Sequence, residues 1–328
     1  MNFSECVTVT DQSSVGEARR TAAIAAHRLH LNETRAGELA ILVTEVSRNV
    51  LVHGGGGHVV VTGIPNGDEP LVRILALDKG RGIASVAQAL SDGYSTAGTM
   101  GGGMGAMKRM ASKFDIFTGK SGTIVLLELG TSKKGNGLEF AGMAIPYPGE
   151  RVCGDGWHCH SFPDRTIALL VDGLGHGIGA AEAAQEAIEV FCKRKESGPG
   201  EILGYLHDAL RKTRGAVASV IEIRHKDRTL IHAGVGNIST VLHDGLTSKT
   251  LVSLNGTLGA TVQKIHEFRA EYNKQAVVVM HSDGLHTKWD LANYSGLLSR
   301  DPSLIAGVLL RDYRRQRDDA SILVMKVA

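Results

Sequence analysis

Cysteine is scarce in this chain, four in 328 residues. That is too few for a disulfide framework, and the sequence reads as that of a cytosolic protein. Proline is scarce as well, at seven, which argues against a disordered Gly/Pro-rich segment. The longest apolar runs, such as Ala276–Met280, are about five residues, where a membrane-spanning helix needs roughly 20. A charge excess of one sign is also missing: 36 Lys and Arg face 34 Asp and Glu, a formal net charge of +2. That balance excludes a polybasic nucleic-acid binder and an acidic disordered chain. The first residues, Met-Asn-Phe-Ser-Glu, carry neither a basic start nor an apolar stretch, so no secretory signal is expected.

What is abundant is glycine, 41 residues, about an eighth of the chain against roughly 7% on average. With 43% hydrophobic residues the chain is globular and large enough for one big core or two ordinary ones. Glycine in such a chain concentrates where backbone must approach something closely, and here it is clustered.

The patterning predicts two α+β domains. Helical periodicity covers residues about 13–30 and 34–53, the second with apolar positions Leu39, Leu42, Val43, Val46 and Val50 at the spacing of one helix face. Strands are predicted at His58–Gly63, Leu71–Leu77 and Thr123–Leu129, with a helix at about 103–112. Residues 132–138, polar and Gly-bearing, are taken as a linker between a domain at 1–131 and one at 139–328. In the latter, Thr166–Val171, Ser219–Ile223, Thr229–Ala233, Ala276–His281 and Ser321–Val327 read as core strands. Helices are predicted at about 179–195 and 200–213.

In the first half Glu45, Asn49 and His53 fall at i, i+4 and i+8 of one helix and share a face. They can supply a general base, a metal-ligating oxygen and a further polar contact, although a solvated polar face is the plainer explanation. Three further boxes follow. The strand Leu71–Leu77 ends in Asp78-Lys-Gly80-Arg-Gly82; Gly101-Gly-Gly103-Met-Gly105 leads into a helix; Gly122-Thr123 opens a strand. A carboxylate at a strand end can accept from a base amine, and backbone N–H groups of a Gly-rich loop can hold phosphate. On these boxes, with Asp92-Gly-Tyr-Ser-Thr96, residues about 5–130 resemble the GHKL (Bergerat) ATP-binding fold, in its anti-sigma and switch-protein serine kinase branch. The resemblance implies an α/β sandwich with one mixed sheet. It implies Glu45 as catalytic base, Asn49 as ligand of an ATP-bound Mg²⁺, and Asp78 as adenine reader with Gly80, Gly82 and Thr123 around it. Gly101, Gly103 and Gly105 would hold the phosphates. No P-loop is present.

In the second half four acidic sites stand flush against predicted strands: Asp155 in Gly154-Asp-Gly156, Asp172 in Asp172-Gly-Leu-Gly-His-Gly177, Asp283 in Ser282-Asp-Gly284, and Asp318-Asp319. One Asp-Gly is ordinary turn chemistry; four acidic sites at strand ends are not. Clustered carboxylates repel unless cations neutralise them, and oxygen-only ligands select Mg²⁺ or Mn²⁺. Two such ions would activate a water for in-line attack on phosphate. Residues about 139–328 resemble the metal-dependent PPM protein phosphatases in their SpoIIE-type branch, through these motifs and Ala233-Gly-Val-Gly-Asn237. The resemblance implies an αββα sandwich in which Asp172 bridges both metals with the Gly173 carbonyl. Asp155, Asp283 and Asp318 complete the shells, Asp318 matching the first acid of the motif. The phosphate-clamping Arg of larger family members has no equivalent at the right spacing; Arg151 does not match. Phosphate would then be held by the metals, with His176 a candidate helper. Cys153, His158, Cys159 and His160 fit no standard Zn²⁺ spacing and read as structural, and His281 and His286 as neighbours of the ligands.

The expected function is a cytoplasmic, metal-dependent phosphoserine/phosphothreonine protein phosphatase. By the resemblance its substrate is a STAS-type anti-sigma antagonist, and its ATP-binding, kinase-like N-terminal domain regulates or opposes the reaction. ATP occupancy or an upstream signalling partner is expected to select the activity. The rivals are a switch whose serine kinase dominates, and a non-catalytic ATP- and metal-sensing binding protein.

Overall fold

The apolar stripe Leu39, Leu42, Val43, Val46 and Val50 is fully buried, and it fixes how the first part of the chain folds. It lies on α2 (Glu33–Gly54), which Asn32 caps by accepting from the Arg35 amide at 2.9 Å and which ends on Gly55 at φ +70°. Ahead of it come β1 (Phe3–Val9) and α1 (Gln12–Arg28). The cap of α1 is reciprocal: Asp11 accepts from the Ser14 amide and Ser14 Oγ accepts from the Asp11 amide. Then follow β2 (Gly57–Ile64), β3 (Leu71–Asp78), the short helices α3 (Val86–Ala89) and α4 (Met104–Met110), β4 (Lys113–Gly119) and β5 (Gly122–Leu129). This computed structural model describes residues 2–65, 69–91, 103–130, 138–245 and 247–327.

The five strands form one sheet in the order β1-β2-β3-β5-β4. Where the resemblance implies a mixed sheet, each neighbouring pair of these strands runs antiparallel. Val59, Val61, Ile74, Ala76, Val125 and Leu127 join the core built with α1 and α2. The alternate residues Val60, Leu75, Leu77, Ile124 and Leu126 are equally buried and point to the other face. Strands buried on both faces read as continuous apolar runs, as Leu71–Leu77 does.

The second part is two five-stranded sheets. The first, β15-β10-β9-β8-β7, comprises β7 (Asp155–Ser161), β8 (Arg165–Gly173), β9 (Ala216–Arg224), β10 (Thr229–Val235) and β15 (Phe268–Glu271). The second, β12-β11-β16-β17-β6, comprises β6 (Leu138–Ile145), β11 (Ser239–Asp244), β12 (Thr247–Leu251), β16 (Val277–His281) and β17 (Ala320–Val327). A two-stranded ribbon, β13 (Gly256–Thr257) with β14 (Thr261–Val262), accompanies them. Helices α5 (Ile178–Arg194) and α6 (Pro199–Ala209) bury Ala183, Ala187, Phe191, Leu203 and Leu206 against Ile167, Leu169, Ala218 and Val220 of the first sheet. Gly198, Pro199 and Glu201 open α6 as Pro at N1 and an acid at N3 should.

The division of the chain differs from the sequence boundaries. One unit is Met1–Lys133 together with Tyr294–Arg311; the other is Lys134–Asn293 with Asp312–Ala328. Nearly all of α7 (Pro302–Tyr313), inside the range 139–328 assigned to the second domain, therefore belongs to the first unit. The reason is the second buried face of the first sheet. A side chain at Gly307 would meet Leu75, Leu77 and Ile124 within about 3 Å, so α7 lies directly on those residues. Its start is held by charge. Asp301 accepts from the Ser303 amide at 2.7 Å and from Lys113 Nζ, and Arg300 pairs with Asp115 at 3.2 Å. Burial alone would raise the Asp301 carboxyl; the Arg73 charge and hydrogen bonds from Lys113 and Ser303 outweigh it and hold it below the ordinary carboxylate value.

Asp301→Asn should therefore destabilise this unit by about 2–4 kcal/mol, because it strips a counter-charge from Arg73 and Lys113. A depressed carboxylate contributes stability above its unfolded pKa of about 3.9 and loses it as pH falls through the folded value. Urea melts of the two proteins should differ at pH 7 and converge toward pH 3. A difference that persists undiminished at pH 3 would show that the carboxylate charge is not the cause.

Candidate active site

Asp155 is the first residue of β7 and Asp172 the penultimate residue of β8, and the two are direct cross-strand partners. Antiparallel pairing places such side chains about 5 Å apart on one face. Beyond Asp172 the chain turns at Gly173, whose amide donates to the Gly154 carbonyl at 2.9 Å. A Cβ at Gly173 would stand 2.2 Å from the Ala180 carbonyl oxygen, so the loop closes only with glycine there. The other acids come from the second sheet. β16 runs into Ser282-Asp283, β17 starts after Asp318-Asp319, and the two ends are tied by Ser282 N–H to Ser321 O at 3.1 Å and Ser321 N–H to Ser282 Oγ at 3.0 Å.

The electrostatics show that these ends meet. Burial raises Asp155 to about 7, against hydrogen bonds from Ser282 and Ser321 and with the Asp319 charge adding to the rise. Burial, then the charges of Asp155, Asp283 and Asp318, raises Asp172 to about 9. Asp318 is raised by burial and by Asp283. Asp172 thus feels Asp155, Asp283 and Asp318, Asp318 feels Asp283 and Asp319, and Asp155 feels Asp319. Among the described residues, no group of three His, Cys, Asp or Glu stands ready-made to hold a metal ion. Bare carboxylates repel, and drawing them to ligand distance needs the cation itself. The donor set nevertheless fits a hard divalent ion. It offers only oxygen, and Asp155 Oδ2 and Asp319 Oδ2 are buried with no hydrogen-bond partner among the described residues, which is costly unless a cation or proton satisfies them.

Several residues without an assigned role support these acids. Asn237 Nδ2 donates to Asp283 Oδ2 at 2.8 Å; the Gly-rich motif that carries it was visible in the sequence, its contact was not. Asp319 accepts from the Tyr147 amide at 2.7 Å and stands beside Asp155, whereas Asp318 faces Asp172 and Asp283. His281 donates from Nδ1 to the Ser282 carbonyl and accepts the Trp289 indole N–H on Nε2. Burial lowers its pKa, and the neutral ring braces the strand end before Asp283. His176 pairs with Glu150 at 3.0 Å and stacks on Tyr147. Cys159 is buried, its thiol pushed up by burial, while His158 and His160 pack edge-on against Phe191 and Phe162, placements that serve packing. A surface cavity of about 430 Å³ lined by Asp227, Asp244 and Glu271 opens at the opposite strand ends from the acids, since β10 begins there and pairs with Arg224 and Glu271.

In the first unit Glu45, Asn49 and His53 all lie on α2 as the spacing requires. Glu45 Oε1 accepts from Arg48 Nη1 at 2.8 Å and remains partly exposed. Asp78 ends β3, and its Oδ1 accepts from the Gly80 amide at 2.9 Å and the Thr123 amide at 3.1 Å, leaving Oδ2 for an incoming donor. Burial raises Asp78; those two amides and the charges of Arg311 and His53 oppose the rise. Gly82 takes φ +75° with its α-carbon pressed toward the Gly119 carbonyl. Gly103 precedes α4 and Gly105 lies within it. Gly101, the box Asp92–Thr96 and most of the linker 132–138 lie outside the described residues.

The sequence model of the Stage II sporulation protein E (SpoIIE) family matches residues 163–328, just over half of the chain. That of the histidine kinase-like ATPase domain matches residues 8–129. The phosphoserine phosphatase RsbX of Bacillus subtilis (strain 168) is 27% identical over 139 residues, 42% of this chain and 70% of RsbX. The serine/threonine-protein kinase RsbT of the same organism is 25% identical over 116 residues, 35% of this chain and 87% of RsbT. Among solved structures, a chain from the bacterial stressosome, described as a modular system adapted to control secondary messenger signalling, aligns with a TM-score of 0.53 and 27% identity. That alignment spans 57% of this chain and 98% of its counterpart. RsbX in complex with magnesium shares the fold, with a TM-score of 0.55 at 22% identity over 60% of this chain and 99% of that one. Asp155 precedes the matched range 163–328, but its register with Asp172 ties it to the same site.

Proposed function

Since this chain belongs to the SpoIIE family of PPM-type phosphatases and carries a histidine kinase-like ATPase domain ahead of it, we propose that it dephosphorylates phosphoserine or phosphothreonine on a regulatory protein of a partner-switching pathway. The observation that carries this reading is the direct pairing of Asp155 with Asp172 across one strand pair, where burial and the Asp319 charge raise Asp155 to about 7, and burial and the charges of Asp155, Asp283 and Asp318 raise Asp172 to about 9. A site so overloaded with negative charge is suited to cations.

Mg²⁺ or Mn²⁺, when bound, supplies a water acidic enough to act as nucleophile at neutral pH. The residues that hold it are Asp172 with the Gly173 carbonyl, Asp155, Asp283 and Asp318. Asn237 fixes the orientation of Asp283, and the neutral His281 ring holds the backbone just before it. Outer hydrogen bonds of this kind set ligand geometry.

In the first unit Asp78 reads an adenine amine, Gly80, Gly82 and Thr123 shape its surroundings, and Asn49 ligates an ATP-bound Mg²⁺. Gly103 and Gly105 approach the phosphates, and Glu45 serves as base toward a serine hydroxyl. RsbX is named a phosphatase and RsbT a kinase; similarity to both within one chain favours opposed activities on one substrate class, a STAS-like antagonist. Unregulated, the pair would only hydrolyse ATP, so ATP occupancy or an upstream partner selects between them in the cytoplasm.

The test is release of phosphate from a phosphoserine-bearing STAS-type protein by the purified chain. Activity should require Mg²⁺ or Mn²⁺ and vanish with a chelator, while labelled phosphate transfer from ATP to the unphosphorylated protein should be lost in Glu45→Gln. Phosphate release that survives chelation would sink the metal-dependent reading.

A further inference from the structure

α7 carries no charge from Pro302 through Leu310 and then presents Arg311. The arginine is buried like the residues before it, with 8% of its surface exposed. A buried guanidinium is costly unless a negative group faces it. Three rows of the first sheet show where it lies. At the helix start Asp301 accepts from Lys113 and feels the charge of Arg73, and both of those residues pair with Glu128 in the sheet. Further along, Gly307 stands over Leu75, Leu77 and Ile124, and Leu77 and Ile124 are cross-strand partners. Arg311 follows Gly307 by four residues, one turn onward along the same helix face. The row beyond Leu77 and Ile124 is that of Asp78 and Thr123, whose amide donates to Asp78 Oδ1 at 3.1 Å. The helix thus runs along β3 and delivers Arg311 to the strand end that carries Asp78.

Asp78 must stay ionised to accept from a base amine, in a place where burial works against its charge. Burial is opposed there by the Gly80 and Thr123 amides, then by the charges of Arg311 from α7 and His53 from α2. Lys79 and Arg81 follow Asp78 in its own loop. Of the two more distant charges, the Arg311 one is the stronger. A guanidinium also keeps its charge at every working pH, which an imidazole does not.

We propose that Arg311 is a positioning residue for the nucleotide: from α7 it holds Asp78 as the carboxylate that accepts the base amine. This rests on the reading of Asp78 as the adenine contact. Arg311 acts on the nucleotide only through Asp78. A stretch of sequence between two acids of the phosphatase site, Asp283 and Asp318, thereby serves the nucleotide pocket of the first unit.

The experiment measures the Kd of ADP by calorimetry in excess Mg²⁺, from about pH 5.5 to 8.5. The proteins are the full-length wild type, Arg311→Met, Arg311→Lys and Asp78→Asn. Protonation of ADP and of other groups near the pocket is common to all of them, so each variant is read as a ratio to wild type. Arg311→Met should weaken ADP binding about tenfold at the acid end and by less than about threefold at the alkaline end. Without the guanidinium Asp78 takes up its proton at higher pH, so affinity that needs the carboxylate is lost earlier as pH falls. Arg311→Lys should restore most of the affinity. Arg311→Gln is the second charge-free variant, and it decides the matter if Arg311→Met does not fold. Asp78→Asn should weaken binding across the range, and adding Arg311→Met to it should bring no further dependence on pH. Charge-free variants that bind ADP as wild type does, while Asp78→Asn does not, overturn the inference alone. The same loss at both ends of the range, with a lowered melting temperature, also overturns it and marks an arginine that only supports the helix. Asp78→Asn that binds ADP as tightly as wild type, or wild type that binds none, refutes the adenine reading and the inference with it.

Discussion

Asp172→Asn should reduce metal-dependent phosphoserine hydrolysis by at least about a thousandfold while leaving the fold intact. The substitution keeps the shape of the side chain and removes its charge, at the one acid on which Asp155, Asp283 and Asp318 all act. Loss of a ligand shared by the site removes both cation affinity and the activated water, which together carry most of the rate enhancement. The effect on stability should go the other way. Burial and repulsion already push the Asp172 carboxyl up to about 9, so the charged form is unwelcome in the folded protein. A neutral amide of the same size should leave the chelated protein melting at or above the wild-type temperature. Activity assays and thermal melts on one preparation separate the cases. Lost activity with an intact melt marks a chemical role, lost activity with a collapsed melt marks a structural one, and retained activity removes Asp172 from the site.

The readable part of this protein is the part with simple periodicity or strand-end chemistry. The α2 stripe, the runs Leu71–Leu77 and Ala276–His281, and the Asp-Gly turns after or before core strands all follow from local rules. They sufficed for two α+β domains and singled out the four acids as candidates. Register was not readable: that Asp155 faces Asp172 depends on how a hairpin pairs, and its consequence for charge follows only from that pairing. Supporting residues were hidden for a similar reason. Asn237 and Asp283 are 46 residues apart in sequence. Edge elements were missed where burial is weak: β1 and β4 carry half-buried positions and charged residues, which dilute the alternation that marks a strand.

The deepest miss was α7, and it leads to the second large expected effect. Residues from Pro302 through Arg311 are all buried, so the helix has no polar stripe to set a 3.6-residue pattern against. The sequence also gives no sign that the helix belongs with a sheet some 200 residues earlier. Yet Leu75, Leu77 and Ile124 lie under Gly307, and Asp301 closes a charge cluster with Lys113 and Arg73. A fragment cut where the first segment of this unit ends, residues 1–133, would therefore expose one whole apolar face of its sheet. Uncovering even three or four such side chains costs about 1.5–3 kcal/mol each, comparable to the 5–15 kcal/mol that holds a typical domain together. The fragment should bind a hydrophobic dye, aggregate and lack a cooperative melt. The same segment joined through a short Gly/Ser linker to residues 294–311 should recover a sharp transition and nucleotide binding. A cooperatively folded, monodisperse 1–133 would show that α7 merely rests on this sheet. The segment that completes the ATP-binding unit is thus spliced into the chain between Asp283 and Asp318. Asp283, the second segment of the first unit and Asp318 consequently follow one another along the sequence, so no single cut of the chain leaves both units whole.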